Sequence, residues 1–369
     1  MEKASVVIVG AGVVGCALAR DLARDRTVVV LEKLGEPGLV TSRRNSGVIH
    51  SGIHLPPDSL KARLARRGKE LVEEHCRRHE VPFSKVGMHI LVAREDFWTL
   101  WPELGRLIAM LRRASTQRIP VRLASRRAVR EREPFVECKF GLFIPEVGII
   151  HQGRFVESLE REARGAGARF VYGSAVEKAA RNGGSWRVCT RDHEFEAECV
   201  INAAGLNAAD VAKLAGFTYQ QVFYRGEYYE VDRQASGLEL HGLVYPVHRP
   251  GRPGLGVHLT ATIDGRILVG PNAKPIASLD EAERDLTPAE EFHAEAVKFL
   301  PGLRVDHLRW AYAGIRPKPR HAAGEVDFVV RFEPGSPRFV NLIGIESPGL
   351  TASLALAEHV RRGLDERLN

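Results

Sequence analysis

The sequence predicts an α/β protein in which parallel, βαβ-type units are interleaved with an α+β domain built on a mainly antiparallel sheet. Three observations predict it. Residues 4–33, "ASVVIVGAGVVGCALARDLARDRTVVVLEK", read strand, glycine turn, helix, strand. An apolar strand running into a turn and a helix recurs at 200–216, "VINAAGLNAADVAKLAG", and near the end in "RFVNLIGIESPGLTASLALAEHV". Between these, residues 219–270 are rich in β-branched and aromatic residues punctuated by Gly and Pro, the mark of short strands. At 369 residues the chain exceeds the usual size of one hydrophobic core, so two domains are expected. The order of elements assigns residues 1–85, 145–218 and 308–369 to the βαβ-type domain and 86–144 with 219–307 to the other.

Composition excludes several classes. Hydrophobic content of 44% and charged content of 27% are those of a globular protein. No apolar run is long enough to span a bilayer, and no amphipathic anchor is evident, so any membrane contact is expected to be peripheral. Five scattered cysteines (Cys16, Cys76, Cys138, Cys189, Cys199) form no CxxC pair, which argues against a disulfide framework or a zinc site and suits a cytoplasmic protein. No metal is expected. The +7 charge, from 53 basic and 46 acidic residues, is spread along helix faces such as "KARLARRGKELVEEHCRRHE". No nucleic-acid partner is therefore expected, though the surplus suits an anionic small molecule.

Each element has a local reason. Val6–Val9 is a continuous apolar run, as a strand buried on both faces requires. Gly10, Gly12 and Gly15 make GxGxxG: a tight turn, close approach of a pyrophosphate to the backbone, and close packing of helix on strand. The helix running on through Cys16–Ala23 offers its positive N-terminus to the phosphates. Val28–Leu31 is the second strand, and Glu32 at its end is placed to accept from a ribose. Together these form a Rossmann-like dinucleotide-binding unit. Asp58 or Ser59 starts a long helix, residues 87–93 form a strand, and Asn182–Gly184 turns an antiparallel excursion. Further strands fall at 223–231, 255–261 and 266–270. Thr287, Pro288 and Glu290 read as a capping box opening a helix, and Ser347 reads as the cap of a helix starting at Pro348.

Glu32 suits NAD and FAD alike. The returning glycine turn at Ala203–Gly205 and the helix at Pro348 favour FAD, whose length needs several segments to cover it. That helix N-terminus would face the flavin edge that becomes negative on reduction.

At this point the chain resembles a family: FAD-dependent oxidoreductases like D-amino-acid oxidase, and within them the L-2-hydroxyglutarate dehydrogenase/oxidase group. The matching segments are "GAGVVGCALARDLA", "NSGVIHSGIH", "INAAGLNAADVA", "RGEYYEV", "YPVHRPGRPGLGVHLTATIDGRILVGPNA", "AGIRPK" and "DFVV". Departures fall at Arg43–Arg44, His54–Leu55 and Pro317–Lys318, near the expected substrate cavity. The resemblance implies that "TSRRNSGVIHSGIH" (41–54) crosses beneath the flavin. It implies FAD contacts from Gly10, Gly12, Gly15, Glu32, Lys33, Ser42, Arg43, Arg44, Asn45, Ser46, Gly47, Val176, Ala204, Gly205, Gly314, Pro348, Gly349, Leu350 and Thr351.

The implied reaction oxidises a small anionic 2-hydroxy acid, with L-2-hydroxyglutarate the first candidate. A hydride passes to flavin N5 while a base takes the hydroxyl proton. Arg316 is the expected partner of the substrate carboxylate. Titration near neutrality selects a histidine as base, either His50 or His258, and His54 is expected at the rim. Arg225, Tyr228 and Arg249 are expected to line the same cavity. Amino-acid or amine oxidation, glycerol-3-phosphate oxidation and a non-catalytic flavoprotein are the alternatives. Oxygen, a quinone or an electron-transfer flavoprotein would each serve as electron acceptor.

Overall fold

The Glu2–Val9 strand is buried from Val6 to Val9 and lies in the middle of a sheet, between Val28–Leu31 and Glu194–Asn202, parallel to both. The structure is a computed structural model that describes residues 1–93, 100–247, 254–320, 327–335 and 337–366. The sheet is eight-stranded; Arg169–Val171 extends it beyond Val28–Leu31, and Arg338–Ile343 pairs in parallel with Glu194–Asn202. The hairpin Val176–Asn182 and Ser185–Thr190 forms its antiparallel edge. Four helices pack through one apolar cluster: Val13–Leu22, Leu60–Arg78, Gln152–Gly165 and Gly349–Asp365. Ser59 caps the second of these, its side chain accepting from the Ala62 N–H.

The second sheet has nine strands, all antiparallel except for one parallel pair, Leu243–Pro246 with Met88–Val92. Its longest ladder joins Gln221–Val231 to Leu308–Pro319. A small sheet of Val48–Ile49, Gly148–Ile150 and Phe83–Lys85 lies at the crossing between the large ones.

Four local expectations are corrected. Leu308–Pro319, grouped by sequence with the dinucleotide unit, hydrogen-bonds in the nine-stranded sheet, because its partner Gln221–Val231 supplies a full-length ladder. The strand expected at 255–261 is confined to Leu259–Ala261. The capping box at Thr287 does not form: Thr287 gives its hydroxyl and its N–H to Glu227, and the helix begins at Ala289. Ser347 does not cap the last helix either. Pro348 is the N-cap, no side chain caps it, and the Ser347 hydroxyl lies 3.4 Å from His50 Nε2.

Candidate active site

Two cavities open between the sheets. The first, about 170 Å³, is bounded by Gly12, Ser42, Arg44, Asn45, Ser46, Gly205, Gly314, Pro348, Gly349 and Leu350, with His50, Tyr228, His258 and Arg316 at one end. The second, about 610 Å³, meets it at His50 and Arg316 and continues past His54, Lys61, Arg106, Arg113 and Lys318.

The lining of the first cavity has the chemistry of a dinucleotide site. The helices Val13–Leu22 and Gly349–Asp365 both present N-termini to it, and neither N-cap residue, Gly12 or Pro348, supplies a side-chain cap. Two dipole ends thus converge on one hollow, where they favour negative groups. Behind it, Gly10 adopts φ +104°, and a Cβ on Gly15 would lie 1.9 Å from the Gly10 carbonyl oxygen. Only a bare glycine lets the helix start that close. The Ser42 hydroxyl accepts from the Val13 N–H at 2.9 Å. Glu32 closes the turn, accepting from the Ala11 N–H at 2.7 Å and the Leu34 N–H at 2.9 Å. Gly314 allows another close approach, since a Cβ there would meet the Arg44 carbonyl oxygen at 2.0 Å.

The other residues expected at the cofactor are engaged within the protein or stand beside this cavity. Arg43 turns away to Glu157 at 2.8 Å and Glu36 at 3.6 Å. Lys33 donates to Asn207 Oδ1 at 2.8 Å. The Arg44 guanidinium pairs with Glu283, leaving the rest of the residue at the cavity. Gly47 sits in the crossing segment, its N–H held by Asn45 Oδ1 at 2.9 Å. Thr351 is fully buried and accepts from the His50 N–H at 3.1 Å. Ala204 flanks the lining residues Ala203 and Gly205. Val176 begins an edge strand. Neither Val176 nor Gly47 is among the residues bounding the cavity.

At the far end the chemistry concentrates. His258 is 6% exposed and stacks on Tyr245 with ring centroids 3.8 Å apart. Its Nδ1 lies 2.8 Å from the Gly256 carbonyl. A carbonyl only accepts, so Nδ1 carries the proton and Nε2 keeps its lone pair. Burial pulls His258 down to about 3, against the bond to Gly256, with Arg316 and His50 adding to the depression. Burial and Arg316 bring His50 to about 4. Both rings are neutral at pH 7, and burial takes them out of the near-neutral titration expected of the base from sequence. Tyr228 packs tilted against Tyr312 with ring centroids 4.8 Å apart, and burial raises its hydroxyl against the pull of Arg316. His54 lines the second cavity, its ring centroid 6.1 Å from that of Tyr245. Nothing in "LVYPV" distinguishes a site tyrosine from a core one, so the Tyr245 platform is visible only in the fold.

Arg225 corrects an expectation. It is 1% exposed and binds the backbone carbonyls of Glu281, Arg284 and Asp285, with its guanidinium 3.0 Å from the fully buried Glu227. Burial works against charge on Glu227, but Thr287, Asn272 and Arg225 outweigh it and hold the carboxyl below its ordinary range. Arg225 therefore anchors the loop at 281–285 and does not line the cavity. Arg225→Met is expected to lower the stability of the FAD-loaded protein by about 3–5 kcal/mol, because it strands a buried carboxylate, and to leave substrate KM unchanged. A raised KM at unaltered melting temperature would restore Arg225 to the substrate. Arg249 lies outside the described residues.

A glycine-cradled cavity that holds His258 and meets a cationic pocket at His50 and Arg316 is the layout of a flavin-dependent oxidoreductase. The chain belongs to the DAO family of FAD dependent oxidoreductases, whose model matches residues 5–362. It is 33% identical to the mitochondrial L-2-hydroxyglutarate dehydrogenase of Arabidopsis thaliana, over 97% of this chain and 83% of that protein. It is 29% identical to the glycerol 3-phosphate dehydrogenase of Caloramator mitchellensis, over 96% and 72%. Among solved structures, the FAD-bound L-alpha-glycerophosphate oxidase of Mycoplasma pneumoniae superposes with a TM-score of 0.89 at 29% identity, covering 99% of this chain and 95% of that one. Glycine oxidase from Geobacillus kaustophilus shares the fold, with a TM-score of 0.81 at 20% identity. The protein is an FAD-dependent oxidoreductase.

Proposed function

We propose that the enzyme oxidises a small anionic 2-hydroxy acid to the 2-oxo acid, with L-2-hydroxyglutarate the first candidate. One observation carries the reading: Arg316 stands beside two uncharged histidines where the cofactor cavity opens into a second pocket bearing Lys61, Arg106, Arg113 and Lys318. The two carboxylates in that pocket are already engaged. Glu346 pairs with Lys61 at 2.9 Å, and Asp327 accepts from the Leu60 and Lys61 N–H groups. Lys61 and Lys318 both face Glu346, and the surplus of cations over carboxylates among the described lining residues suits an anionic ligand; the kinship with L-2-hydroxyglutarate dehydrogenases supports a dicarboxylate.

FAD, when bound, supplies the acceptor for the two electrons of the Cα–H bond. Arg316 holds the substrate carboxylate through its planar fork. His258 Nε2 takes the hydroxyl proton as the carbonyl forms, and the Gly256 carbonyl steadies the imidazolium that results. Tyr245 fixes the ring plane by stacking. His50, held through its backbone by Thr351 and near Ser347, orients the substrate.

Glycerol 3-phosphate is the second reading, favoured by two of the relatives, and the same cations would serve its phosphate. Arg316→Gln separates carboxylate binding from the rest. Losing a charge-assisted pair costs about 1.5–3 kcal/mol, so KM for a 2-hydroxy acid is expected to rise about 10–150-fold with kcat little changed. An unaltered KM would remove Arg316 from the carboxylate.

A further inference from the structure

Away from the cofactor cavity, the helix Leu60–Arg78 carries His75 in its last turn, and His79 is its C-cap. One turn apart, the two imidazoles share a face. Glu162, from the helix Gln152–Gly165, meets them there. His75 Nδ1 is 3.5 Å and His79 Nε2 3.2 Å from the same Glu162 oxygen, and the three donor atoms lie within 4.8 Å of one another. Both ring nitrogens are shut off from solvent without a hydrogen-bond partner among the described residues, and His75 is 3% exposed.

Ser158 decides what His75 Nδ1 carries. Its hydroxyl donates to the Phe155 carbonyl at 2.8 Å, so it accepts from His75 Nε2–H at 2.7 Å. With the ring proton on Nε2, Nδ1 bears a bare lone pair facing a carboxylate oxygen. Two such groups repel, and the Arg20 guanidinium on the same Glu162 oxygen leaves the two ring nitrogens themselves without a donor among the described residues. Tetrahedral zinc, with bonds of about 2.0–2.2 Å, sets its ligand atoms about 3.3–3.5 Å apart. The two separations to Glu162 match that spacing.

We propose that His75 Nδ1, His79 Nε2 and Glu162 form a binding site for a zinc-class divalent cation, with water completing the tetrahedron. Ser158 orients the first ligand, as outer partners of metal-bound histidines do. The ion ties the helix Leu60–Arg78 to Gln152–Gly165 and so plays a structural part. Arg20, whose Nε lies 2.7 Å from the same Glu162 oxygen, limits the affinity by repulsion. No cysteine takes part; the sequence signal is the H-x3-H spacing on one helix.

The test uses full-length, FAD-loaded protein stripped with EDTA, dialysed against dilute ZnCl2 and then buffer, with metal counted by mass spectrometry. Wild type is expected to retain one more zinc ion per chain than His79→Ala or Glu162→Gln, each with undiminished FAD content. Zinc is expected to raise the melting temperature of the wild type alone, and magnesium of none. All other histidines and thiols are common to the three proteins, so the difference isolates this site. Equal zinc retention in wild type and Glu162→Gln, or no zinc held by wild type, would overturn the proposal.

Discussion

His258→Ala lowers the anaerobic rate of flavin reduction at saturating substrate by about 10²–10⁴-fold, the usual worth of a positioned general base, while KM changes far less. The expectation follows from the tautomer. The Gly256 carbonyl accepts from Nδ1–H, which leaves Nε2 as acceptor at the cavity end shared with Arg316. His50→Ala is expected to cost less, since that ring contributes position. The pH profile carries the same signature. A base depressed to about 3 stays neutral as pH falls through the ordinary histidine range near 6.5. The acid limb of kcat/KM, which reports the free enzyme, should therefore lie well below pH 6.5. A full rate in His258→Ala, or an acid limb near 6.5 that survives the substitution, would assign the proton to another group.

The second large effect is at the turn. Gly15→Val puts a branched side chain where even a Cβ would lie 1.9 Å from the Gly10 carbonyl oxygen. Backbone cannot yield as a side-chain tip can, so the helix must withdraw from the strand and take its N-terminus away from the phosphates. The expected product is protein purified without flavin and unable to take it up from excess FAD, measured by absorbance after desalting. Stoichiometric flavin in Gly15→Val would mean that the turn at 10–15 does not seat the dinucleotide.

The parts of the fold legible in the sequence are those whose cause is local. The apolar run Val6–Val9, the three glycines and Glu32 stand within one short stretch, and each has a geometric duty visible from spacing alone. His50, His258 and Arg316 could be singled out because their side-chain chemistry is specific, and they line one cavity. What could not be read depends on partners distant in the chain. Arg225 and Arg316 look alike as arginines in strands, yet one meets Glu227 and three carbonyls of the 281–285 loop while the other faces the cavity. Thr287 and Ser347 have the types and positions of helix caps, but Glu227 claims the first and the second lies against His50. The strand Leu308–Pro319 carries no mark of which sheet it joins until Gln221–Val231 is beside it.

The most direct measurement mixes the FAD-loaded enzyme anaerobically with L-2-hydroxyglutarate, a monocarboxylic 2-hydroxy acid, glycerol 3-phosphate and a neutral amino acid in turn, and follows loss of oxidised-flavin absorbance. Arg316 beside a neutral base, opening on a cationic pocket, is expected to give fast reduction by L-2-hydroxyglutarate, slower reduction by the monocarboxylate and little by the others. Fast reduction by glycerol 3-phosphate or the amino acid, with the flavin left oxidised by both 2-hydroxy acids, would contradict the assignment of this site to 2-hydroxy-acid oxidation.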